Sequence, residues 1–184
     1  MTPATTTSPG YDLVLLAHVL TAVVGLGALA VAAGSALALR GVLRRGGPVP
    51  DALARYYRPG VNWAGRVLFL VPVFGVALLA MSGGQWSFAD LWVTVGMAVW
   101  AVVAVAAEVL VWPGERRLQA VVAALAAVGA PPAPDGGLPG VPDSAVDGGA
   151  DVAEGPGICA RVGLLGLALG AALVATGVVM VAKP

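Results

Sequence analysis

Ionisable side chains are scarce in this sequence: Lys and Arg together number 10, Asp and Glu 10, and there is one His and one Cys. Each scarcity excludes something. Charged residues make up 11% and hydrophobic residues 59%, whereas a soluble domain ordinarily carries about 25% charged residues to keep its surface wet. A water-surrounded domain is therefore excluded. Cys159 stands alone, so no intramolecular disulfide can form, and a thiol at the start of an apolar run reads as a small buried hydrophobe. A tetrahedral zinc site built from one His and one Cys would have to rely mainly on carboxylates. Phosphate-cradling, serine-hydrolase, zinc-protease and dithiol motifs are all missing: there is no G-x-x-x-x-G-K-[ST], G-x-S-x-G, H-E-x-x-H or C-x-x-C. The formal net charge of zero is uninformative by itself, because the charges of a membrane protein matter by side rather than by sum; no nucleic-acid partner is expected.

What the sequence does contain is long apolar runs. Leu13 to Leu39 holds no Asp, Glu, Lys or Arg. A helix rises about 1.5 Å per residue through a hydrocarbon core of about 30 Å, so about 20 apolar residues suffice to cross it. Four stretches meet that length, at about 13–39, 63–81, 88–111 and 158–181. They lack the alternation of a membrane barrel, and lipid gives backbone amides no partner outside a helix. The predicted fold is an all-α polytopic membrane domain, a bundle of four transmembrane helices occupying residues 1–184. Ser35-Ala36-Leu37-Ala38 resembles a signal-cleavage site, but the run before it is too long for a signal core and residues 1–12 carry no Lys or Arg.

Arginine placement predicts the orientation, because Lys and Arg are retained on the cytoplasmic side. Arg40, Arg44, Arg45, Arg55, Arg58 and Arg66 lie in or beside the first connection, and Arg116, Arg117 and Arg161 in or beside the third. Against these nine, the other side holds only Lys183. The expectation is an inner (plasma) membrane protein with both termini outside and loops 40–62 and 112–157 in the cytoplasm. Trp86 and Trp92 would mark the outer boundary, Trp63 and Trp112 the inner one, and Trp100 would pack near mid-membrane.

Two pieces are expected between Pro113 and Gly157. Leu118, Val121, Val122, Leu125 and Val128 recur with helical spacing, which predicts a short amphipathic helix over 115–129 lying along the cytoplasmic face. Residues 131–157 hold six prolines, seven glycines and five acidic residues, the profile of a flexible acidic loop.

Helices in lipid associate through close backbone approach rather than through burial of apolar area. Gly163, Gly166, Gly170 and Gly177 form one stripe along the last helix, and Ala22, Gly25, Ala32 and Ala36 share a face of the first with His18. These are the candidate packing residues, and the Gly163 to Gly177 face is a candidate for self-association. Pro72 should bend the second helix.

An ionisable group inside a membrane costs at least about 2.5 kcal/mol on insertion scales, so each one needs a partner or a purpose. His18 is either a neutral imidazole sharing an interhelical hydrogen bond or a ligand for haem or copper. Met81, Met97 and Met180 fall in the same halves of their helices as His18, and thioether with imidazole suits Cu(I). Glu108 is expected to form a structural ion pair with Arg66 or Arg161. The basic connection with Arg44, Arg45, Arg55, Tyr56, Tyr57 and Arg58 suits anionic lipid headgroups.

Leu16-Ala17-His18-Val19-Leu20, the glycine-rich Val24-Gly25-Leu26-Gly27 after it, the tryptophan-marked third helix and the ending Met180-Val181-Ala182-Lys183-Pro184 carry a resemblance. The chain resembles a family of small four-helix bacterial integral membrane proteins of unknown function. That family is distantly similar to copper-resistance D membrane domains and to haem-linked protoporphyrinogen oxidases. The resemblance covers the four helices and implies one residue role, His18 as a haem or copper ligand. Function is accordingly expected to be that of a non-enzymatic membrane component, a partner subunit or a self-associating scaffold. The alternative is a redox or metal-handling protein centred on His18.

Overall fold

The computed structural model describes residues 8–128 and 148–181, and among these every regular element is helical. Helix α1 runs from Pro9 to Arg45. Ser8 caps it, its Oγ accepting the Tyr11 N–H at 3.2 Å, and Pro9 takes the first helical position, where a missing N–H costs nothing. Gly46 ends it with φ +63°, donating its N–H to the Leu43 carbonyl. That left-handed cap is open to glycine at no steric cost.

Helix α2 (Asp51–Tyr56) is short. Helix α3 (Trp63–Arg66) passes through a 3₁₀ turn at Val67–Phe69 into α4 (Leu70–Met81). The turn falls where Pro72 has no N–H to give the carbonyl four residues before it, that of Leu68. Gly83 and Gly84, both at positive φ, then reverse the chain. Helix α5 (Leu91–Ala106) continues through a π turn at Ala107–Val111 into α6 (Trp112–Val128), and α7 spans Gly148–Val181. Among the described residues, four helical runs are long and apolar enough to cross a membrane: Pro9–Arg45, Trp63–Met81, Leu91–Ala127 and Val152–Val179.

Two sequence expectations need correction. The short helix at 115–129 is not a separate piece, because the chain continues from Leu91 to Ala127 as one run. Pro113 cannot donate to the carbonyl of Val109, and the chain answers with a wider turn at Ala107–Val111 instead of breaking. The apolar stripe of that helix is also not spread on a surface, since Leu118, Val121 and Val122 are buried within the protein. The acidic loop is shorter than expected, because α7 begins at Gly148 and carries Pro156 inside it. The rest of that predicted loop, together with Lys183, lies outside the described residues.

The chain divides into two compact units: Met1–Leu29, Asn62–Ala106 and Leu169–Pro184 form the first, and Ala30–Val61 with Ala107–Ala168 the second. In the first, α1 meets the 3₁₀ turn so closely that a Cβ on Gly25 would stand 3.1 Å from Leu68 Cα. In the second, Ala33, Ala36 and Leu39 of α1, Val111, Leu118, Val121, Cys159 and Val162 form a dense core. There α7 approaches α1 so tightly that a Cβ on Gly163 would lie 2.7 Å from Leu37 and 3.4 Å from the Ala33 carbonyl oxygen. A Cβ on Gly114 would run into Val162.

Candidate functional site

The first unit holds a half-open cavity of about 520 Å³, lined by segments of α1, α4, α5 and α7 together with the turn between α4 and α5. Its walls are mainly aliphatic and aromatic. Trp86 and Trp92 meet edge to face, ring centroids 5.5 Å apart, and Trp100 packs against Phe69 at 6.1 Å. Trp100 does more than fill space. Its indole N–H donates to the Leu68 carbonyl at 3.1 Å, the acceptor that Pro72 leaves without its helical donor.

His18 lines this cavity, and its Nδ1 lies 2.9 Å from the Val71 carbonyl oxygen. A carbonyl only accepts, so in the neutral imidazole the proton is on Nδ1 and Nε2 carries a lone pair. Gly75 makes room for the ring: a Cβ there would sit 3.4 Å from His18 Cε1. The imidazole is thereby held in one tautomer and one orientation by backbone from α4. This is how a ligating histidine is commonly set.

Of the three methionines grouped with His18 by sequence, Met97 lines the same cavity. Met81 is 43% exposed near Gly10 and does not line it, and the Met180 side chain lies outside the described residues. Residues present here thus suit ligation at a single histidine nitrogen with one thioether nearby. Among the described residues no group of three His, Cys, Asp or Glu is placed to hold an ion.

Arg66 belongs to the first unit, whereas Glu108 and an exposed Arg161 belong to the second. The expected glycine stripe is packed unevenly. Gly163 is tightly packed and Gly166 buried, whereas a Cβ on Gly170 or Gly177 would meet nothing within 4 Å.

A second polar cluster in the second unit escaped sequence analysis. Tyr56 donates its hydroxyl to Glu115 at 2.8 Å, and Glu115 is only 5% exposed. Tyr57 stands edge to face with Tyr56 and is fully buried, its hydroxyl making no hydrogen bond. Burial above all, then the neighbouring Cys159 thiol and Glu115 carboxylate, push the Tyr57 phenol well above its usual pKa. The one available sequence signal was Glu115 itself, an acid two residues after Pro113 and directly before Arg116 and Arg117. Arg55 and Arg58, proposed for lipid headgroups, flank a small cleft with Asp51 on the surface of this unit.

Fold and site together define an all-α protein with four helices of membrane-spanning length and an apolar cavity around one oriented histidine. Compared with family models, curated proteins and solved structures, the chain matches none.

Proposed function

We propose that this chain is a multi-pass protein of the inner (plasma) membrane, with both termini outside and the arginine-rich connections in the cytoplasm. It acts as a non-enzymatic component, a partner subunit or scaffold, whose basic first connection sits among anionic headgroups. The observation that supports membrane residence is the dress of the helices: Val102 is 68% exposed, Val105 63%, Leu164 62% and Val179 66%. Apolar surface of that extent calls for lipid or partner helices around it. Cysteine labelling in intact cells tests the orientation. Ser87→Cys should react with an impermeant maleimide and Gly47→Cys should not, with the buried Cys159 giving no background. Labelling of Gly47→Cys alone would reverse the topology.

The orientation of His18 favours a second reading, a haem- or copper-binding protein. Nε2 of His18 would be the ligand, with Met97 as the candidate thioether. Bound there, haem or copper would supply one-electron chemistry, and the chain would contribute a fixed tautomer and a dry wall. Purified protein should then show a Soret band or stoichiometric copper that is lost in His18→Ala. Neither signal in the unaltered protein, even after supplementation, would dispose of this reading.

A further inference from the structure

Few polar groups line the cavity of the first unit: the Tyr11 hydroxyl at one end, His18, Thr176 and the indoles of Trp86, Trp92 and Trp100. Thr176 donates its hydroxyl to the Ala172 carbonyl at 2.8 Å, and Trp100 its N–H to Leu68. His18 uses Nδ1–H on Val71, while Nε2 meets no donor among the described residues. The site therefore presents a fixed hydrogen-bond acceptor inside an apolar chamber. No Lys or Arg lines the chamber to hold an anion, and no carboxylate to hold a cation. Its volume of about 520 Å³ falls within the range of about 300–1,000 Å³ typical of small-molecule sites.

Hydrocarbon alone would fill such a space but leave the lone pair without a partner, and in surroundings that exclude water an unmet acceptor is unfavourable. A charged donor would lose its hydration on entry with no counter-charge to replace it. An uncharged hydroxyl on an apolar body satisfies both conditions. We propose that this cavity binds a lipid-phase alcohol or phenol, whose O–H donates to Nε2 of His18 while its body lies against Trp86, Trp92, Trp100 and Met97. This use of His18 is distinct from the metal reading, because a nitrogen bound to a metal has no lone pair left for a hydroxyl.

A matched pair of compounds tests it: 4-nonylphenol and its methyl ether, 4-nonylanisole, differ in little but the donor. Each is titrated into the full chain, free of haem and copper, in lipid nanodiscs, with tryptophan fluorescence as the readout. The phenol should bind about tenfold more tightly than the ether, the worth of one hydrogen bond made away from water. His18→Ala should bring the two to equal affinity by weakening the phenol alone. Gly177 lines the cavity, and a Cβ there meets nothing within 4 Å, so Gly177→Leu adds bulk at the cavity wall where the backbone leaves room for a side chain. That variant should weaken both compounds about tenfold or more with helicity unchanged, and it decides the matter if His18→Ala does not fold. Equal affinity of phenol and ether for the unaltered chain, as expected of a cleft that merely admits hydrocarbon, would overturn the proposal. So would failure of both to bind, or phenol binding untouched by Gly177→Leu.

Discussion

Gly163→Leu is expected to destabilise the protein by about 3 kcal/mol, the upper part of the range for overpacking a dense core. Gly170→Leu, seven residues along the same stripe, should change stability by no more than about 0.5 kcal/mol, as surface substitutions do. The difference lies in what each Cβ would meet. At Gly163 it would press on Leu37 at 2.7 Å, with the Ala33 carbonyl oxygen behind it at 3.4 Å, whereas at Gly170 nothing lies within 4 Å. A leucine side chain can turn aside, but the backbone of a helix cannot. Thermal unfolding in detergent, followed by circular dichroism, measures both variants side by side. Equal behaviour would mean that α7 does not meet α1 through Gly163. If Gly170→Leu leaves the monomer intact but abolishes cross-linked dimers, the open part of the stripe serves self-association.

The second large effect is expected at Tyr57, where two substitutions should pull in opposite directions. Tyr57→Ala empties a site that is 1% exposed and should cost about 3–5 kcal/mol, as for other large aromatic truncations. Tyr57→Phe keeps the ring and its edge-to-face contact with Tyr56 but removes a buried hydroxyl that bonds to nothing. It should be neutral or stabilising by about 1 kcal/mol. The hydroxyl also confers an alkaline limit. Burial raises the folded phenol's pKa above that of the unfolded chain, so the folded form holds its proton more tightly. The resulting stability is present in full below the unfolded value of about 10 and is lost as pH rises beyond it. Chemical unfolding at pH 8 and pH 11 should therefore show a steeper loss for the unaltered protein than for Tyr57→Phe. Equal losses would place the phenol in water.

Much of the local structure could be read from composition and spacing. The four long helical runs follow from apolar sequence, but α1 extends beyond the expected 13–39 to Pro9–Arg45, because its ends are set by the Ser8 cap and the left-handed Gly46 rather than by where the apolar run stops. The helical period of Leu118, Val121 and Val122 was legible, but neither the burial of that stripe within the protein nor its continuity with α5 was. Prolines were the reason. Pro113 and Pro156 look like boundaries in a sequence, since each removes one backbone donor, yet a π turn accommodates the first and α7 runs straight through the second. His18 was recognisable because the stretch 13–39 holds no Asp, Glu, Lys or Arg beside it. Which of its nitrogens stays free depends on the carbonyl of Val71, 53 positions away in sequence, and spacing within α1 holds no information about that. The pairing of Tyr56 with Glu115 was hidden for the same reason, their separation being 59 residues.

From sequence alone come the all-helical class, the four runs long enough to span a bilayer and the asymmetry of arginine, because solvation and helix period act on each segment locally. Tertiary structure decided which glycines are pressed against a neighbour, which histidine nitrogen is left to a ligand and where a cavity opens. Those outcomes depend on the distance between atoms far apart along the chain, and no local preference encodes a distance of that kind.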